Sequence, residues 1–123
     1  MMITGFMLLA VMARAEDMGY IKHQLINNTS YECYMSVRQQ YAYPIEACLG
    51  PVPAKGTKAC DGPFEPHQPN FFFYAVCNAA NQHLELDKLV FLRNTYKNPN
   101  IDVQWTIEVK KKKLQLIYHE HGF

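Results

Sequence analysis

No stretch of this 123-residue chain stays apolar for the roughly 20 residues that a membrane-spanning helix needs. The longest apolar run, Ile3 to Ala13, falls well short of that length. An excess of one charge is missing too. Twelve Lys/Arg face eleven Asp/Glu, a formal +1, so no overall field draws in nucleic acid or an anionic membrane. Serine is scarce: Ser30 and Ser36 stand alone, neither in the G-x-S-x-G setting of a hydrolase nucleophile. There is no Gly-rich phosphate loop, no recognisable carboxylate pair and no Cys-x-x-Cys. Their absence argues against nucleotide hydrolysis, a zinc ribbon and a thioredoxin-like redox centre. No internal repeat and no inter-domain linker is visible. The chain therefore reads as a non-enzyme with no cofactor.

What is present suits a folded extracellular domain. The composition is 49% hydrophobic and 13% aromatic, too rich in core-forming side chains for a disordered chain. The apolar run ends in Ala13-Arg14-Ala15, a small-x-small pattern, and Glu16-Asp17 follow at once. Residues 1–15 are read as a signal peptide and 16–123 as one small secreted domain, soluble after cleavage. No Lys or Arg precedes the run, which favours a eukaryotic source; a bacterial chain would be periplasmic. Cys33, Cys48, Cys60 and Cys77 are an even number within that domain. In an oxidising compartment they predict two disulfides, each contributing about 2–4 kcal/mol. Four cysteines allow three pairings and spacing does not choose among them. The arrangement leaned towards joins Cys48 to Cys60 around a Pro/Gly-rich loop and Cys33 to Cys77 between helix and sheet. Asn27-Asn28-Thr29 and Asn28-Thr29-Ser30 are overlapping sequons, giving Asn27 and Asn28 as candidate glycosylation sites.

The expected fold class is α+β. Thr29-Ser30-Tyr31-Glu32 has the form of a capping box, and Tyr31, Tyr34, Met35, Arg38 and Ala42 follow at helical spacing. This predicts an N-terminal amphipathic helix over 30–43, packed on an antiparallel sheet of about four strands. Residues 50–70 hold five prolines and three glycines and read as one long rigid loop pinned by Cys60. Phe71, Phe73, Ala75 and Cys77 alternate with Phe72, Tyr74 and Val76, so the strand from Asn70 is expected to be covered on both faces. A further strand is placed over 88–93. Val103, Trp105, Ile107 and Val109 alternate with polar residues as a half-buried strand. Leu114 to Tyr118 returns as its hairpin partner.

Several features can bind. Phe64 and His67 lie in the Pro-rich loop, where proline lowers the entropy lost on docking. Lys110, Lys111, Lys112 and Lys113 form a basic hairpin tip, able to grip a polyanion or simply to solvate a turn. On an extended segment His119 and His121 share a side and can meet one metal if a third ligand such as His23 or His67 arrives; a solvated tail is the more ordinary reading. The leading functional reading is a secreted, disulfide-stapled binding protein that occludes or engages another protein, as an inhibitor, toxin-like effector or immunity factor. A different class is a carrier of a small apolar ligand, held near Phe71–Tyr74 and Trp105 between helix and sheet. A third is a small secreted hydrolase using His23, His67, His83 or His119. Nucleic acid is not an expected partner.

Overall fold

The computed structural model describes residues 18–40 and 48–122. The signal peptide expected over 1–15, and residues 41–43 of the expected helix, lie outside the described residues. The remainder is two antiparallel-rich sheets facing each other. The strands are β1 (Gly19–Asn27), β2 (Cys33–Gln39), β3 (Cys48–Val52), β4 (Thr57–Phe64), β5 (Asn70–Cys77), β6 (Leu84–Phe91), β7 (Asn100–Lys110) and β8 (Lys113–Gly122), with one 3-10 turn over Arg93–Tyr96. One sheet has the order β4-β1-β7-β8 and the other β3-β2-β5-β6. All neighbours are antiparallel except β1 and β7, which run parallel.

The expected N-terminal helix is a strand, and α+β is replaced by an all-β sandwich. In β2, Cys33, Met35, Val37 and Gln39 are buried while Tyr34, Ser36 and Arg38 face outward. That is period two, not 3.6. Tyr34 on the outward side put an apolar residue on both faces and imitated a wide helical stripe. Thr29 is no helix cap either. Its hydroxyl donates to Asn27 Oδ1 at 2.7 Å and accepts from the Tyr31 amide at 3.1 Å, closing the turn between β1 and β2 in the manner of a short side-chain turn.

The long loop expected over 50–70 is also a correction, because β3 and β4 occupy much of it. Pro51 and Pro63 lie within these strands. Both are edge strands, where a residue without an N–H removes no obligatory ladder bond. The two edges are drawn together by the disulfide Cys48–Cys60, while Cys33–Cys77 crosses between the neighbouring strands β2 and β5. These are the two pairings leaned towards, though the second joins strand to strand, not helix to sheet.

At the other side of the sandwich, Glu120 on β8 accepts from the amides of Arg93 and Asn94 at 3.2 and 2.8 Å, and from Asn94 Nδ2 at 2.8 Å. This ties the last strand to the 3-10 turn that follows β6. Between the sheets lies a core in which Trp105 is fully buried, stacked on Phe73 at 5.7 Å and on Tyr118 at 5.8 Å. Each such ring pair adds about 0.5–1.5 kcal/mol to the burial itself.

Candidate functional site

The two outer surfaces differ in chemistry. On the β4-β1-β7-β8 sheet, the outward positions include Lys22, Gln24 and Ile26 on β1, Asp102, Gln104 and Thr106 on β7, and Ile117, His119 and His121 on β8. Gln104 Nε2 donates to Gln24 Oε1 at 3.3 Å. Tyr20 on the same side bonds Asp61, which raises its phenolic pKa. The face is mainly polar, with Tyr20 and Ile117 as its exposed large apolar side chains.

The β3-β2-β5-β6 sheet presents the opposite. Its register sets Tyr34 beside Val76, Ser36 between Leu49 and Tyr74, and Phe72 between Arg38 and Leu89; Phe91 follows opposite Asn70. Leu89 and Phe91 are each 52% exposed and Tyr34 is 39% exposed. Tyr96 from the 3-10 turn stacks on Phe91 at 6.4 Å, and His67 lies over Tyr96 at 5.5 Å. The face thus runs on into the β4–β5 loop.

Polar groups are threaded through it. The Arg38 guanidinium sits 5.2 Å above the Phe72 ring, a cation–π contact. Tyr74 donates to Glu85 Oε2 at 2.5 Å, and His83 Nε2 lies 2.9 Å from Glu85 Oε1. The bond from Tyr74, then that from His83, lowers the Glu85 pKa; the same bond raises that of Tyr74. Phe72, Tyr74 and Val76 are only half-buried, so the expectation that β5 is covered on both sides holds for one side alone.

The sites expected from sequence are distributed as follows. His67 is exposed, in a left-handed backbone conformation (φ 65°), its amide bonded to the Thr95 carbonyl at 3.0 Å. Buried Gln39 pins the same loop through the Glu65 and Gln68 carbonyls at 2.8 and 2.7 Å. Phe64, expected beside His67 as a contact, is fully buried instead. A Cβ on Gly19 would fall inside its ring, so the absence of a side chain at Gly19 is what lets the ring in. Leu89, Phe91 and Tyr96 were missed. The signal was available: Leu89-Val90-Phe91-Leu92 is apolar on both sides of an extended segment, more than a single buried face requires.

Asn27 is fully buried, with Nδ2 within hydrogen-bond distance of the Tyr31, Val52 and Pro53 carbonyls at 2.7, 3.0 and 3.1 Å. Asn28 is exposed. Lys110 to Lys113 stand exposed at the β7–β8 turn. His119 and His121 belong to β8 itself, not to a tail beyond it, and do share its outer side. His23 points into the core on the opposite side of that sheet, where its Nδ1 accepts from Trp105 Nε1 at 3.0 Å. Burial pushes its pKa down to about 4, so it is neutral near pH 7. Among the described residues no three His, Cys, Asp or Glu side chains are placed to hold a metal.

A cavity of about 140 Å³ lies beside His23, between Gln39, Phe64, Phe71 and the Cys48–Cys60 disulfide. Ligand pockets usually occupy about 300–1,000 Å³. Phe71, Phe73 and Trp105, expected to line a carrier pocket, are packed into the core, and the helix that was to form its other wall is β2.

Fold and surface together define a disulfide-linked β-sandwich domain with one mainly polar and one aromatic outer face. No protein-family model matches the chain, and no curated protein is a detectable relative of it.

Proposed function

We propose that this is a secreted binding protein that engages another protein through the outer face of the β3-β2-β5-β6 sheet. The observation that carries the reading is the asymmetry of the two faces: Tyr34, Leu49, Leu89, Phe91 and Tyr96 are exposed on or beside one, and the other is mainly polar, with Tyr20 and Ile117 apart on its outer side. Contiguous apolar surface on a soluble domain marks interaction sites. Aromatic rings mixed with an arginine are the composition of protein-interface centres. An open sheet face suits a protein partner better than a small ligand, which a concave site would enclose. Tyr34, Arg38 and Tyr74 supply polar handles for register. Two disulfides are compatible with an extracellular setting. Occlusion of a partner's own surface is then the mode of action, whether as inhibitor, effector or immunity factor.

The test compares the native protein with the double variant Leu89→Ser/Phe91→Ser and a control that removes an exposed apolar side chain from the opposite face, Ile117→Ser. Each is used to capture proteins from extracellular fluid of the source, and the captured protein is then purified and titrated back. The expected result is saturable one-to-one binding to native and control proteins, weakened about a hundredfold or more in the double variant, as for loss of two anchor residues. Binding that survives in the double variant overturns the reading. So does concentration-dependent self-association that the double variant abolishes, which would make the occupant a second copy.

A further inference from the structure

We propose that one end of the sandwich binds a sulfated glycosaminoglycan through Lys55 and Lys110–Lys113. This stands apart from the aromatic face and does not depend on its role. The parallel pairing of β1 with β7, and the antiparallel pairing of β1 with β4, bring the β3–β4 turn and the β7–β8 turn to the same end. Backbone bonds lock them there: the Asn27 amide donates to the Gly56 carbonyl and the Asn28 amide to the Ile107 carbonyl, both at 2.9 Å. The Lys55 ammonium reaches the Asn28 carbonyl and side-chain oxygen at 3.4 and 3.3 Å. Lys58 follows it on β4. Five of the chain's twelve Lys/Arg are therefore gathered at one end of a molecule with almost no net charge, with Lys58 set back from it, half-buried beside Gly50. Against them this end holds three carboxylates, Glu32, Glu85 and Glu108, so positive charge is in excess and is concentrated in the β7–β8 turn.

The backbone shows that these lysines are not simply what a turn requires. Lys55, Lys111 and Lys112 all have left-handed φ values of 59°, 54° and 64°. Glycine or asparagine adopts that conformation with little strain, and a two-residue hairpin turn ordinarily takes Asn-Gly. Other side chains there cost on the order of 1 kcal/mol each. Three of the four non-glycine residues in this conformation among the described residues are lysines at this one end, so charge stands there where the local preference is for glycine or asparagine. Positive turns on strands β4 to β8 span three strand spacings, about 14 Å, which suits an extended polyanion and not a single small anion. Neither turn carries an aromatic ring on which a base could stack (53–58 and 108–115), which favours a glycan over single-stranded nucleic acid.

The probe is immobilised heparin, with the intact disulfide-bonded protein. Three proteins are compared: native, the tip variant Lys110→Gln/Lys111→Asn/Lys112→Gly/Lys113→Gln, and Arg93→Gln/Lys97→Gln at the opposite end. Asn-Gly keeps the turn geometry, and a melting temperature at or above the native value verifies the fold. Expected are retention of the native and opposite-end proteins above about 0.15 M salt and a loss of about tenfold or more in affinity for the tip variant. A Lys55→Gln variant falls between, and desulfated heparin does not bind. No retention of the native protein at that salt, or retention unchanged in the tip variant, overturns the proposal. Equal or tighter binding to single-stranded DNA or to phosphatidylserine vesicles also overturns it and reassigns the end to that polyanion.

Discussion

Asn27 and Asn28 are adjacent, both head a sequon, and have opposite surroundings. The Asn27 amide holds three carbonyls together at the β1–β2 turn, and its Oδ1 accepts from the Thr29 amide at 3.0 Å. A glycan on that nitrogen has no room in the folded domain, whereas Asn28 is open to solvent. Peptide mapping after expression in a glycosylating host should find sugar at Asn28 and none at Asn27. Asn27→Ala should cost about 2 kcal/mol, since several buried backbone groups lose their partner at once; a denaturant titration measures it. His23 makes a second prediction. In the unfolded chain its imidazole takes a proton near pH 6.5, but in the fold only near pH 4 because it is buried. Between those values the unfolded state binds the extra proton, so stability falls as pH drops through this window, by roughly 3 kcal/mol in total. His23→Gln keeps an acceptor for the Trp105 N–H and does not titrate. Its melting temperature should decline less than the native one between pH 6.5 and 4.

At the scale of elements, legibility tracked the contrast between a strand's two faces. β7 was readable because Val103, Trp105 and Ile107 are buried and Gln104, Thr106 and Glu108 are not. β5 was readable as a strand from its run of aromatic and β-branched residues, although its exposed face was not. β2 was misread because Tyr34 and Met35 are adjacent, and a period of two with apolar residues on both sides can be fitted by a helical period. β3 and β4 were hidden by proline, which signals a loop unless one knows that the strand is at an edge. The aromatic face itself was out of reach, since it depends on which strands sit side by side. Lys88 illustrates the same limit: it occupies an inward position on β6 yet is exposed, a charge at a sheet edge that discourages pairing with another chain. The β7–β8 turn yields a stability prediction of its own. Lys111→Asn/Lys112→Gly should stabilise the domain by about 1–2 kcal/mol by relieving two left-handed lysines, seen calorimetrically as a rise of several degrees in Tm.

For the whole molecule, the two disulfides act at different levels of organisation. Cys48–Cys60 closes a short loop, 12 residues apart, and joins the two sheets at one edge. Cys33–Cys77 closes 44 residues within one sheet. In the chain-entropy account these are worth about 3 and about 4 kcal/mol respectively. Replacing Cys33 and Cys77 together by Ala should therefore lower stability more than replacing Cys48 and Cys60, the more so because Cys33 and Cys77 are both buried. Unfolding by guanidinium of the two double variants gives the comparison directly. Loss of Cys48–Cys60 should in turn loosen the β3–β4 edge selectively, which amide hydrogen exchange along Thr57–Phe64 would register as faster exchange than in the native protein.

The parallel pair β1–β7 also bears on the order of events when the chain is made. A ribosome releases β1 at the start and β7 only after most of the domain has emerged. During that interval β1 can zip onto β4, but its other edge stays open until residues 100–110 arrive and insert beside it. The β2–β5 pair, with its cysteines opposite each other, has no such wait. One sheet can thus be complete and covalently fastened while the other is half built. During synthesis, Ile21, His23 and Leu25 already have the finished sheet to face but lack Ile101, Val103 and Trp105 beside them, and this half-built layer must remain out of contact with its neighbours until β7 arrives.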